Sequence, residues 1–132
     1  MIKRDNWSTI KGVEWPEHPG DFRKVFSGEK LMAVLNEVTP PAVPLTAKPK
    51  LHSHPHEQMG ICLAGEAEFI CGSVRKRVSE GMVYSVEPNE KHEVRMLGSE
   101  GGLFLDVFSP PRVEYLSMQK SFENQEINKS QL

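Results

Sequence analysis

An all-β fold is what this sequence predicts, and three observations carry the expectation. Short runs of apolar and β-branched residues recur along the 132-residue chain. Each run is bounded by turn residues, with ten prolines and ten glycines spread along the chain as punctuation. Between residues 20 and 112 no apolar spacing of three and four persists long enough to make a helix. The pattern is that of an antiparallel sandwich or barrel.

The expected strands follow in order. The first two are "FRKVF" (22–26) and "KLMAVLNEVT" (30–39), separated by Ser27-Gly28. A proline-rich connection, "TPPAVPLTAKPK" (39–50), is expected to run extended and to deliver the chain to a histidine segment. Then come "QMGICLA" (58–64), "EAEFIC" (66–71), "SVRKRVS" (73–79), "MVYSVE" (82–87), "HEVRML" (92–97) and "GLFLDVF" (102–108). Gly65, Gly72, Gly81, Pro88-Asn89, Gly98 and Pro110-Pro111 divide them.

A two-residue loop at Ala64 and Gly65 predicts a hairpin with Gly60 opposite Phe69 and Cys62 opposite Ala67, on the interior face that Gln58 shares. In the next run Lys76 shares its parity with Val74 and Val78, which means either a barrel mouth or a turn placed one residue off. We expect an N-terminal extension over residues 1–20, one barrel over 21–112 and a polar tail over 113–132, forming a short helix or no fixed structure.

Composition narrows the partners. Sixteen basic and eighteen acidic residues give a formal charge of −2, so neither a nucleic acid nor a membrane surface is implied. The apolar fraction of 38% and charged fraction of 26% are ordinary for a globular domain. The basic start "MIKRDNWSTI" is followed by no apolar segment, and we expect a cytoplasmic protein. Cys62 and Cys71 are expected to be free thiols.

Chemistry concentrates in "LHSHPHEQMG" (51–60), which holds three of the five histidines. Alternate residues of an extended strand point to one side, so His52 and His54 can present two imidazoles to one point. Neutral imidazole nitrogen is a favoured ligand of transition metals. Gln58 lies on the same parity beyond a break at Pro55 and offers a carbonyl oxygen. The fourth ligand is expected from His92, which opens a strand just after the Pro88-Asn89 turn, where Asn tolerates the left-handed conformation. His56 and Glu57 are read as outlying or solvent-facing, and His18 as ordinary loop.

These spacings resemble a known family. His52-x-His54-x-x-x-Gln58, six residues, then Gly65 is similar to the first motif of the cupins, and Gly81, six residues, Pro88-Asn89-x-x-His92 to the second. The resemblance implies a cupin jelly-roll β-barrel, also called a double-stranded β-helix. Four positions depart from the family pattern. Thr46 and Asn89 replace glycines, Gln58 replaces the usual glutamate ligand, and Met96 replaces an asparagine. A neutral ligand at Gln58 leaves the metal more positive and a stronger Lewis acid.

A second informative stretch is "LFLDVFSPPR" (103–112). Phe104, Asp106 and Phe108 share one parity, so Asp106 sits mid-strand among apolar neighbours. A buried carboxylate needs a partner or a nearby cation, and a metal inside the barrel supplies one. The Asp-x-Phe followed by Ser-Pro-Pro-Arg resembles the pectin-degradation cupins. These metal-binding proteins help convert 4,5-unsaturated uronates to linear keto sugars.

The resemblance implies His52, His54, Gln58 and His92 as ligands of one divalent transition metal, and Asp106 and Phe108 in the pocket, which Phe104 would also line. The metal itself is left open among Zn, Ni, Fe, Mn and Cu. Arg112, just past the strand, either meets the substrate carboxylate or is solvated. Asp106 would move the proton as the catalytic group.

Three functions follow as expectations: a metal-dependent isomerase or tautomerase of unsaturated uronates or similar sugar acids, an Fe(II)-dependent dioxygenase, or a non-catalytic sugar-binding module. The fold alone does not choose among them. A homodimer is implied by the resemblance, with the strand region "FRKVFSGEKLMAVLNEV" adding to a partner's sheet. Trp7 and Trp15 would be either anchors of that interface or packed on their own barrel.

Overall fold

Nine antiparallel strands make two sheets in the computed structural model, which describes residues 2–16, 18–40 and 48–117. They are β1 (Val13–Glu14), β2 (Phe22–Ser27), β3 (Met32–Val38), β4 (Glu57–Ala64), β5 (Glu66–Cys71), β6 (Val74–Ser79), β7 (Val83–Val86), β8 (Glu93–Met96) and β9 (Gly102–Ser109). All eight expected strands are present within a residue or two of their expected ends. The two-residue β1, pairing Val13 with Arg23, is additional. Most of the proline-rich connection and of the polar tail lies outside the described residues; residues 113–117 form one helical turn.

The larger sheet has the order β1-β2-β3-β9-β4-β7 and the smaller β6-β5-β8. Strand period two sends alternate side chains of the larger sheet inward, and its register aligns them in rows. One row reads Arg23, Asn36, Phe104, Cys62, the next Val25, Val34, Asp106, Gly60, Tyr84, and the third Ser27, Met32, Phe108, Gln58, Val86. One apolar cluster lies beside the middle row and a second takes in its Val25 and Val34. Cys62, Ala67, Val78, Met96 and Phe104 pack between the sheets. Val25, Met32, Val34 and Phe108 pack under Tyr115 of the helical turn. Asp106, only 5% exposed, therefore stands between two apolar clusters on a strand with neighbours on both sides.

The expected hairpin at Ala64 and Gly65 does not form. Gly60 pairs with Tyr84 and Asp106, while Ala67 pairs with Val78 and Met96. Both edges of β4 are taken by β7 and β9, so β5 has no place beside it. A register shift between Cys62 and Ala64 bends the strand. Gly65, at φ 88°, then carries the chain into the other sheet, where a side chain would strike the Gly101 backbone. Cys62 and Ala67 still meet, across the core and not along a ladder.

The parity conflict at Lys76 has its answer in β6, which is an edge strand. Val74 and Lys76 are exposed there and only Val78 reaches the core. Both cysteines are free.

Candidate metal centre

His52 and His92 are forty residues apart in sequence yet face each other as an isolated antiparallel bridge, with reciprocal N–H···O bonds of 2.9 and 2.8 Å. The tight turn before His92 secures the second strand. Asn89 adopts φ 65° and its N–H donates to the carbonyl of His54 at 2.7 Å, tying the two histidine segments together. As a result the ligand nitrogens of His52, His54 and His92 gather within 4.8 Å of one another. His54 and His92 are buried, and His52 forms the exposed rim.

The hydrogen-bond network assigns the tautomers. His54 Nδ1 lies 3.0 Å from the His56 carbonyl and His92 Nδ1 lies 2.7 Å from the Glu90 carbonyl. A carbonyl only accepts, so each Nδ1 carries the hydrogen and each Nε2 offers a lone pair to the centre. Desolvation first, then its histidine neighbours, push His52 down to about 4. Desolvation and the charge of Arg112 also lower His54. Neutral imidazoles are the form that a metal takes.

Gln58, on β4, stands beside one of the three histidines, His54. Its Nε2 donates to Asp106 Oδ1 at 3.0 Å, which turns Oε1 toward the histidines, 3.2 Å from His54 Nε2. Two acceptors then face each other with no hydrogen between them, an arrangement that a cation relieves. The three imidazoles thus fit a divalent metal, with Gln58 Oε1 beside His54.

Asp106 lies directly behind Gln58. Oδ1 accepts from Gln58 and from Tyr84 Oη at 2.5 Å, and Oδ2 accepts from Asn36 Nδ2 at 2.8 Å. Burial holds the Asp106 carboxyl above the usual carboxylate range in spite of these three donors. The two donors on Oδ1 against one on Oδ2 leave Oδ2 the less engaged oxygen.

Phe108 packs edge-on against His54, with ring centroids 5.8 Å apart, and Phe104 is buried on the other side of Asp106. Arg112 stacks over Tyr115 and Phe108 at 4.4 and 5.1 Å, and its Nε and Nη2 both go to Glu114 Oε1. Trp15 packs on its own barrel, over Arg23.

Sequence reasoning passed over Asn36, Tyr84 and Arg23, and placed Gly60 on the inward face without giving it a role. Each lies on the inward parity of its strand, the signal that identified Asp106, and three of them are polar. Gly60 is the space that the site requires. A side chain there would collide with Tyr84 Oη and Asp106 Oδ1.

Comparison with known proteins places these features in a context. Residues 43–108 match the family described as Cupin domain. The pectin degradation protein KdgF of Dickeya dadantii (strain 3937) is 33% identical over 66 residues. That match covers 49% of this chain, which therefore spans 59% of the relative's length.

Among solved structures, KdgF from Halomonas sp. aligns with a TM-score of 0.73 at 23% identity, over 87% of this chain and 99% of that one. An RmlC-like cupin from Shewanella frigidimarina NCIMB 400 gives 0.71 at 23% identity, over 87% and 96%. The polyketide cyclase RemF of Streptomyces resistomycificus gives 0.67 at 19%, over 86% and 82%. At these identities the likeness is one of fold, the double-stranded β-helix. Among the described residues no helix is long and apolar enough to cross a membrane.

Proposed function

Since this chain belongs to the cupin domain family, we propose that it is a metal-dependent isomerase or tautomerase acting on 4,5-unsaturated uronates or similar small sugar acids, yielding linear keto sugars. The observation that carries this reading is Asp106, a buried carboxylate hydrogen-bonded to the amide that stands beside His54. The partial likeness to KdgF supports the substrate class.

His52, His54, Gln58 and His92 would hold the metal, which on neutral ligands supplies Lewis-acid polarisation of a bound oxygen. The chain's own residues do the rest. The anomeric hydroxyl gives up its proton as the ring C–O bond breaks, leaving an aldehyde and an enolate. The enolate's carbon takes a proton as its oxygen becomes the ketone, so one proton moves from oxygen to carbon and the atoms balance. Asp106 takes the proton on Oδ2 and returns it to carbon, while Tyr84, Gln58 and Asn36 keep the carboxylate in one orientation. Phe108 and Phe104 wall this side of the site and limit its hydration.

We further propose that the chain works in the cytoplasm, where its two free thiols stay reduced. A homodimer is proposed as well. β3 has partners on both edges and β1 pairs with Phe22 and Arg23 of β2, so in place of sheet addition by that strand region the exposed Met59, Leu63 and Val83 on the outer face of β4 and β7 would seal it.

The test is Asp106→Asn, with bound metal counted by elemental analysis and turnover of an unsaturated uronate followed at the absorbance of its conjugated double bond. Metal content stays at the wild-type level and turnover falls by about 10²-fold or more. Undiminished turnover would remove the proton-transfer role.

A further inference from the structure

Arg23 is buried, with 5% of its surface exposed, on the inward face of β2. Its guanidinium lies over the face of Trp15, 3.3 Å from the ring centroid, and 4.7 Å from that of Tyr115. Such stacking holds the plane of the group and leaves its in-plane N–H bonds to find acceptors. Among the described residues it makes one hydrogen bond, from Nε to Asn36 Oδ1 at 3.2 Å, and no ion pair. Nη1 and Nη2, the fork that meets a carboxylate end-on, have no protein acceptor.

Neither Nη is among the buried polar atoms left without a partner, so the fork reaches solvent, where an anion can meet it. Asp21 and Asp106 act on Arg23 through their charge, without a direct hydrogen bond or ion pair to it. Asp21 Oδ1 is engaged by the N–H and hydroxyl of Thr39. Asp106 is reached only through Asn36, which accepts from Arg23 and donates to Oδ2. Arg112, the arginine that sequence reasoning put forward, gives Nε and Nη2 to the exposed Glu114.

We propose that Arg23 is the receptor for the carboxylate of a small sugar acid, binding it with Nη1 and Nη2, and that Asn36 couples this anion site to Asp106. Arg23 sets specificity for acids over neutral sugars. The chain Arg23, Asn36, Asp106, Gln58, His54 links this site to the candidate metal centre by consecutive side-chain contacts. The substrate class rests on the function proposed above; the anion site rests on Arg23 itself.

The test uses the full chain loaded with zinc, titrated by calorimetry with D-galacturonate and with its uncharged methyl ester. Wild type prefers the acid. Arg23→Gln loses more than tenfold in affinity for the acid and keeps its affinity for the ester, while Arg112→Gln retains the preference. Equal losses for acid and ester in Arg23→Gln, a preference abolished by Arg112→Gln alone, or a wild type that fails to prefer the acid would overturn the proposal.

If Arg23→Gln does not fold, the arginine side-chain resonances of the wild type decide. The acid shifts the Arg23 Nε–H signal and the ester does not; an identical response to both overturns the assignment. Binding is read here and not turnover. An acid-selective Arg23 in a protein inert toward unsaturated uronates therefore removes the isomerase and leaves the anion site standing.

Discussion

Gln58 Nε2 donates to Asp106 Oδ1 at 3.0 Å, so one amide both faces the histidines and anchors the buried acid. This relationship gives the glutamine a physical reason. A glutamate at residue 58 would bring a second carboxylate against Asp106, and two buried like charges at that distance cannot both stay ionised.

Gln58→Glu is therefore expected to keep its metal and to lose more than tenfold in turnover, with elemental analysis and the conjugated-bond assay as the two readouts. The metal-free variant also gains a pH dependence. The carboxyl pair holds a proton in the folded state that the unfolded chain releases near pH 4, so its stability falls as pH rises from about 4 toward 7. From pH 5 to pH 7.5 the urea midpoint should change further toward loss in the variant than in the wild type, whose own change comes from the raised Asp106 and the lowered His52 and His54.

Gly60→Ala tests the space beside Asp106. The added methyl meets Tyr84 Oη and Asp106 Oδ1, and Tyr84 is backed by Phe69 with ring centroids 4.4 Å apart, so the ring cannot retreat freely. Overpacking of this kind costs about 1–3 kcal/mol. Denaturant unfolding should show that loss, and turnover should fall with metal content unchanged.

Metal should stabilise the fold through His92. A ligand present at about 100 times its dissociation constant adds about 2.7 kcal/mol to folding. Chelation is expected to lower the melting temperature of the wild type, and His92→Ala to abolish that difference. Glu57→Ala, changing an exposed residue that donates nothing to the centre, should preserve it.

The Cys71 thiol is pushed up to about 11, by burial first and then by Glu90, whose Oε1 accepts from Sγ at 2.9 Å. A raised thiol stays protonated at neutral pH, leaving on the order of one thiolate in a thousand at pH 8. Alkylation of Cys71 by iodoacetamide should be slow at pH 8 and still be rising beyond pH 10. Glu90→Gln should accelerate it at pH 8; a plateau near pH 9 in the wild type would contradict the environment described.

Local rules made much of the fold and site legible. The alternation of His52 and His54, the break at Pro55 and the tight turn at Asn89 are properties of neighbouring residues, and so are the ends of the strands. Period two was enough to turn Phe104, Asp106 and Phe108 inward. The same rules misplaced the partner of β4, because the appeal of a short loop at Gly65 takes no account of strands that arrive later and occupy both edges.

Sequence alone therefore determined which side chains point inward and which residue types could ligate a metal, since both follow from backbone geometry within one strand. Only the tertiary structure decided who meets whom. The order β2-β3-β9-β4-β7 sets Arg23 beside Asn36, Asn36 near Asp106, and Gly60 between Asp106 and Tyr84. Lateral order comes from hydrogen bonding between distant segments, and no local periodicity encodes it.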